Sequence, residues 1–378
     1  MLKARLAPLP DSQSHAPWGV GEIGSSVLDA ALWSLAGHRG GRQELWDWVP
    51  WGALRLPGLR AETQGSRACR NDKPISAWHL FGGCDSGKYL LRMRFGLISL
   101  STSPSKMREA ATVSEQLGYD ALYAADHLFA YFAADWPFLD GWATLGAWVQ
   151  NTTKIRLGPL VANLSWRDPV QMARTVIALD QFSGGRIDVG VGAGRFADQV
   201  MGGMHEMSGS ERVARLDEGL VVLDRLLRND LEPFSGRFTT YQDARTTPGC
   251  VQQPRPSLIV AAHGPKALRV AALRGDVWSS YGGVEDLTVD ELVAVTRERN
   301  EGLRVACESV GRDPASIGRS LLLMPNNGVD PWGDPDALRA FAEHLHAMKF
   351  DELVLGFPSP DRRETFERTS LDVLPQLR

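Results

Sequence analysis

Cysteine is scarce and scattered. The 4 residues, Cys69, Cys84, Cys250 and Cys307, contain no CxxC pair, so neither a zinc site nor a disulfide framework is expected and no metal is called for. Long apolar runs are missing too. None approaches the ~20 residues that span a bilayer, and Met1 to Pro10 has no apolar core of a secretory signal. Cations are not in excess: Lys plus Arg number 41 against 45 Asp plus Glu, a formal charge of -4, and no basic run stands out. A nucleic-acid partner and a membrane partner are therefore not expected, and a reducing cytoplasm is the default location.

What is present is ordinary for a globular enzyme: 378 residues, 43% of them hydrophobic, enough for a full core. Two textures share the chain. Residues 1–92 are irregular, punctuated by Pro and Gly, and hold half of the 12 tryptophans (Trp18, Trp33, Trp46, Trp48, Trp51, Trp78) with no period of 2 or 3.6. Such aromatic content is unusual for a disordered segment. Either this is an appended segment that packs somewhere, or it is upstream sequence read into the chain with Met93 as the start. The abrupt onset of regular pattern at Met93 favours the second. The expected division is thus an irregular, poorly ordered extension over 1–92 and one domain over 93–378.

From Met93 onward, strand and helix patterns alternate. Strands are expected at Arg94 to Leu100, Ala121 to Ala124, Ile155 to Val161, Arg186 to Gly192, Ser257 to Ala262, Asp276 to Tyr281, Ile317 to Met324 and Glu352 to Gly356. Helices follow each. Pro104 to Leu117 stops at Gly118, Asp168-Pro169 opens the next but one, and Arg362 to Leu374 closes the chain. Leu231 to Pro256 is irregular and reads as an insertion between strands four and five. Eight alternations over about 285 residues fit a (β/α)8 TIM barrel. A doubly wound sheet is the rival, but it rarely sustains so many regular units.

In a barrel, chemistry sits at the C-terminal ends of strands. Strand two ends at Asp126-His127, before an aromatic-rich loop from Phe129 to Trp136. A histidine there can move a proton near neutral pH, with Asp126 beside it to orient the ring; a histidine bonded to its own loop is an equal alternative. Strand three ends at Val161-Ala162-Asn163, then Arg167, which either holds an anion or pairs with Asp126 or Asp168; the ion pair is the safer reading. Strand four ends at Gly190-Val191-Gly192-Ala193-Gly194-Arg195. These glycines let a backbone turn tightly near a flat or anionic ligand, yet G-x-G-x-G is not the dinucleotide fingerprint, and plain packing against neighbours is as good an account. Strand five ends at Ala262-His263-Gly264 before Pro265, where free N–H groups at a helix start favour a phosphate, unless this is an ordinary turn. Strand six ends at Tyr281-Gly282-Gly283 and strand seven at Pro325-Asn326-Asn327. The absence of a strand-end lysine and of a clustered ligand set speaks against an aldolase or metal hydrolase.

Together these residues resemble the bacterial luciferase-like oxidoreductases, the flavin- and deazaflavin-dependent (β/α)8 enzymes. The resemblance is carried by Arg94-Phe95-Gly96, Leu117-Gly118-Tyr119-Asp120-Ala121-Leu122, Asp126-His127, Leu157-Gly158, Arg167-Asp168-Pro169, Ser183-Gly184-Gly185-Arg186, the Gly190 to Gly194 run, Pro254-Arg255-Pro256, Ala261-Ala262-His263-Gly264-Pro265 and Gly275-Asp276. It implies a luciferase-like oxidoreductase that binds F420 (a deazaflavin) or FMN and acts on a small, mostly apolar substrate. It implies a non-proline cis peptide near Leu160-Val161 behind the cofactor ring, ring contact from Asn163, cofactor contacts from Gly190, Gly192, Ala193 and Gly194, and phosphate contact from Ala262, His263 and Gly264. His127 with Asp126 would be catalytic, and Arg167, Arg195 and Trp136 are candidates for substrate or anion. Two departures matter. The family's deazaflavin sugar-phosphate dehydrogenases carry a glutamate where this chain has Arg195, and His263 replaces a common glycine. Hydride transfer through deazaflavin is the expected reaction. An FMN monooxygenase using O2 and a non-catalytic flavin binder are the alternatives. A homodimer is a further expectation, and the Phe129–Trp136, Phe196–Ser210 and Leu231–Pro256 segments are expected to shape the substrate pocket.

Overall fold

The computed structural model describes residues 93–378 apart from 101–102, 131–135, 196–197, 199–201, 231, 283–286 and 325–328. The expectations for 1–92, for Gly283, for Pro325-Asn326-Asn327 and for parts of the first two loops fall outside the described residues.

Most of the helices start where the sequence offers an oxygen-bearing cap, often with proline at the first position. Ser103 accepts from Lys106 N–H at the head of α1 (Pro104–Gln116), and Asp140 accepts from Trp142 and Ala143 N–H ahead of α2 (Gly141–Asn151). Asp168 accepts from Gln171 N–H before α3 (Pro169–Ser183), which ends on Gly184 at φ 67°. α4 (Gly209–Leu227), α5 (Pro265–Arg274), α6 (Val289–Ser309) with its Thr288–Glu291 capping box, α7 (Pro335–Ala347) and the short α8 (Arg363–Arg368) follow. The closing helix is shorter than expected. Past α8 the chain passes through a π turn (Thr369–Val373) and a 3-10 turn (Leu374–Gln376), because Pro375 cannot donate to a continuing helix.

The strands are β1 (Arg94–Ser99), β2 (Ala121–Ala124), β3 (Arg156–Pro159), β4 (Ala162–Asn163), β5 (Asp188–Gly192), a small hairpin β6 (Phe234–Ser235) and β7 (Thr240–Tyr241), then β8 (Ser257–Ala261), β9 (Val277–Tyr281), β10 (Gly318–Leu323) and β11 (Glu352–Gly356). Nine of them make one parallel sheet in the order β3-β2-β1-β11-β10-β9-β8-β5-β4. β3 and β4 are two pieces of one stave, separated by the cis Leu160–Val161 peptide. The expected single third strand is therefore split. A parallel bridge between Leu157 and Ile187, with Leu157 N–H donating to Arg186 at 2.9 Å, joins β3 to β5 and closes the (β/α)8 barrel.

Alternation along the staves divides the apolar residues. Phe95, Leu97, Leu122, Leu353 and Leu355 join the helices' Leu145, Trp148 and Leu220 in the larger core. Their neighbours Ile98, Tyr123, Ile259, Val277 and Val354 form a second core inside the barrel. At the N-terminal ends of the staves that interior turns polar. Arg156 donates to Asp188 at 2.8 and 2.5 Å, Arg94 lies 3.4 Å from Glu352 and 3.7 Å from Asp188, and Tyr123 and Ser320 donate to Glu352 at 3.1 and 2.8 Å. Burial opposes the charge of Asp188, but the two guanidinium groups outweigh it and hold the carboxyl below its usual range. For Glu352 burial wins and pushes the carboxyl up.

The insertion before β8 is real, but it does not shape the mouth as expected. It joins the C-terminus of α4 to the N-terminus of β8, so it starts and ends on the barrel face opposite the strand ends. Its last part is pinned there: Asp180 accepts Val251 and Gln252 N–H at 2.7 and 3.0 Å, and the Gln252 amide donates to Ile187 O at 2.7 Å. The β6–β7 turn is held by the Glu218 carboxylate, which accepts three backbone N–H groups at 2.6 to 2.8 Å.

Candidate active site

Barrel topology brings the ends of β2, β4, β5, β8 and β9 to one face, and most of the expected residues lie there. Their pairings differ from the expectation at several points.

Asp126 does not orient His127. Its buried carboxylate is taken by Arg167, whose Nε and Nη2 donate to it at 2.7 and 2.5 Å, while the same Nη2 reaches Asp140 at 2.7 Å. The Arg167 guanidinium also lies 4.3 Å over the Trp166 ring. The ion pair is thus the correct reading of Arg167. Through Asp140 it ties the end of β2 to the start of α2.

His127 has a different partner. Its Nδ1 lies 3.4 Å from Asp198 Oδ2, and its ring is 6.3 Å from that of Phe138. Asp198 is buried and also accepts from Arg195 Nε and Nη2 at 3.2 and 2.8 Å. Burial works against its charge, but the hydrogen bonds from His127 and Arg195 outweigh it and hold the carboxyl below its ordinary range. In the tautomer protonated at Nδ1, the ring can donate to this carboxylate. Arg195, expected to face an anionic substrate group, is engaged with Asp198 instead. Asp198 was not among the expected residues. Its one signal was position: an acid three residues after a cation, directly past the glycine run.

The glycine run serves its neighbours before it serves any ligand. A Cβ on Gly190 would fall 2.2 Å from Pro159 O, and one on Gly192 would fall 2.8 Å from Val161 Cγ2. The missing side chains are filled by β3 and by Val161, the residue after the cis peptide. Gly194, at φ 74°, lies against the Asn163 amide, where a Cβ would come within 2.1 Å of Oδ1. Ala193 O accepts from Ser165 Oγ at 2.5 Å. Asn163 is buried, and its Oδ1 accepts from Ser165 N–H at 2.9 Å, which fixes the amide orientation. Its Nδ2 is buried and has no hydrogen-bond partner. A buried donor left unmade costs ~1–3 kcal/mol, so this atom marks a place where a ligand's acceptor fits.

Gly264 caps α5 without a side-chain bond, and a Cβ there would meet nothing within 4 Å. No side chain therefore caps this helix start, and there is room beside Gly264. His263 is exposed, and its Nε2 accepts from Tyr281 N–H at 3.1 Å. Desolvation of the ring against the chain, and then the Arg299 guanidinium, push it down to about 4, so it is a neutral acceptor at physiological pH. Arg299, on α6, donates to Tyr281 O and adds a cation beside this turn. Sequence pattern could not find it, since it lies mid-helix among other charges. Trp136 is half-buried in the loop after β2.

Known proteins match this architecture. A model described as luciferase-like monooxygenase matches residues 88–324. The chain belongs to the luciferase-like monooxygenase family. It is an oxidoreductase on that membership. An F420-dependent glucose-6-phosphate dehydrogenase of Beutenbergia cavernae is 26% identical over 339 residues, covering 76% of this chain and 98% of its own. Among solved structures, an F420-dependent secondary alcohol dehydrogenase in complex with an F420–acetone adduct aligns with TM-score 0.64 at 18% identity, over 76% of this chain and 99% of its own. The coenzyme F420-dependent tetrahydromethanopterin reductase of Methanopyrus kandleri aligns with TM-score 0.63 at 18% identity, over 76% and 100%. At such identities the structures speak for the fold.

Proposed function

We propose that this family member is an F420-dependent oxidoreductase that moves a hydride between the deazaflavin and a small, mostly apolar alcohol or carbonyl compound. The observation that carries the reading is the pairing, at one barrel mouth, of a histidine held by an anionic carboxylate with the unpartnered Asn163 Nδ2. Val161 and Asn163 would lie against the ring system, kept in place by Gly190, Gly192 and Gly194. The α5 N-terminus at Gly264, with Arg299 nearby, would take the phosphate. When bound, the cofactor supplies the hydride donor or acceptor, which no side chain can. His127 would accept the substrate hydroxyl proton at Nε2, or return it in the reverse direction, while Asp198 stabilises the imidazolium that forms. The F420-dependent curated relatives support the deazaflavin over FMN. Their sugar-phosphate substrate is not carried over, because Arg195 stands where the resemblance calls for a glutamate and is tied to Asp198.

Equilibrium titration with F420 and with FMN tests the cofactor. F420 is expected to bind more tightly. Gly264→Val is expected to weaken that binding at least tenfold with thermal stability nearly unchanged. Tight FMN binding without F420 binding would overturn the deazaflavin reading and favour an O2-using monooxygenase. Unchanged affinity in the variant would remove the phosphate assignment.

A further inference from the structure

The barrel interior is filled unevenly. Along β10 the inward side chains are Ser320, Leu322 and Met324. Ser320 is fully buried on the polar floor and Met324 is 6% exposed at the strand end, yet Leu322 between them is only half-buried. Its neighbours in register divide the same way: Val354 on β11 is fully buried, whereas Tyr281 on β9 is half-buried like Leu322. A side chain midway along an inner stave, buried above and below, stays accessible only beside space that protein atoms leave empty. A hollow therefore lies against the β9–β10 wall, one layer below Met324, or about 6.6 Å along the stave.

This hollow is apolar and continuous with the candidate site. Leu322 and Tyr281 pack on the same inner cluster as Met324, Leu100 at the end of β1 and Phe138 past β2. The Phe138 ring stands 6.3 Å from that of His127, so an apolar wall runs from the histidine to Leu322. Among the described residues, the inward positions of β1, β10 and β11 above Arg94, Ser320 and Glu352 carry no charge. The wall also faces the right way. With β3–β4 counted as one stave, β10 is four staves from it in either direction around the barrel, directly across from Val161 and Asn163.

We propose that the β9–β10 wall receives the apolar part of the substrate and that Leu322 is the specificity-determining residue that limits its size. The inference rests on the carbonyl and alcohol chemistry proposed above, and adds where the substrate extends and what stops it. A carbonyl held at His127 sends its apolar part past Phe138 into the hollow, where Leu322 ends it. Each further methylene buried there strengthens binding about fourfold, until crowding against Leu322 reverses the gain.

The test compares straight-chain methyl ketones from acetone to 2-heptanone. Their kcat/KM is measured with the full chain loaded with reduced F420, and their binding by ligand-observed NMR with and without oxidised F420. Wild type is expected to gain about fourfold per methylene up to an optimum and to lose beyond it. Leu322→Ala is expected to move the optimum to a longer ketone and Leu322→Phe to a shorter one, with F420 affinity little changed. An optimum that stays in place, or moves the same way in both variants, overturns the proposal. So does a large loss of F420 affinity with an unmoved optimum, which would set the cofactor against this wall. If Leu322→Phe folds poorly, Leu322→Ala decides alone: a longer optimum upholds the proposal, and an unmoved one overturns it. Failure of the underlying reading looks different. If no ketone is reduced but NMR affinities still depend on chain length and shift oppositely in the two variants, the wall and Leu322 stand and hydride transfer to a carbonyl falls.

Discussion

At the scale of single residues, charge pairing decided more than residue type. Asp126 was legible as a strand-end acid, but sequence adjacency suggested His127 as its partner, whereas a two-pronged arginine is the better match for a buried carboxylate. Asp198 was illegible because the stretch after the glycine run has no periodic signal. The polar floor was equally hidden: Arg94, Asp188 and Glu352 are stave residues whose meeting depends on closure of the barrel. It yields a prediction with a sign. The Asp188 carboxyl lies below its unfolded value, so it contributes stability that is present above the unfolded pKa of about 3.9 and lost as pH falls through the folded one. Glu352 lies above its unfolded value, so its contribution is present at low pH and lost as pH rises through the folded one. Asp188→Asn, which strands Arg156, is expected to cost about 3–5 kcal/mol at neutral pH, with the deficit shrinking below about pH 4. Glu352→Gln is expected to gain on wild type as pH rises. Urea denaturation across pH reads both, and slopes of the opposite sense would refute the assignment of the two carboxyl groups.

At the scale of elements, the caps and the period-two runs made helices and staves legible to within a few residues. The split of the third stave was not, since nothing in Leu160-Val161 announces a cis bond without the resemblance. Barrel closure rests on two glycines. A Cβ on Gly158 would fall 2.1 Å from Asp188 O, and Gly190 stands in the same relation to Pro159 O. Both obstacles are backbone, which cannot swing away. Gly158→Ala is therefore expected to abolish folding or cut the melting temperature severely. Gly146→Ala, inside α2 with nothing within 4 Å, is expected to be neutral or to stabilise by up to ~1 kcal/mol. Comparison of the two variants by circular dichroism and thermal melts checks the claim; equal melting temperatures would contradict it. The insertion teaches a topological point. It was expected to shape the pocket, but a segment between a helix end and the next strand start returns on the face opposite the strand ends.

At the scale of the whole molecule, the eight-stave barrel was legible because alternation over this length admits few other folds, and the strand-end rule then pointed to the mouth. The F420-dependent relative is matched over 98% of its length by 76% of this chain, and we propose that 93–378 is the catalytic unit. Among the described residues no helix is long and apolar enough to cross a membrane. The central claim is hydride transfer from a deazaflavin with His127 moving the proton. Stopped-flow mixing of the chain, loaded with reduced F420, against small apolar carbonyl acceptors tests it most directly, with and without O2. Reoxidation is expected to require the carbonyl, to ignore O2, and to fall roughly 100- to 10,000-fold in His127→Asn with cofactor affinity little changed. Reoxidation that needs O2 and no carbonyl, or that proceeds at the wild-type rate in His127→Asn, would contradict it.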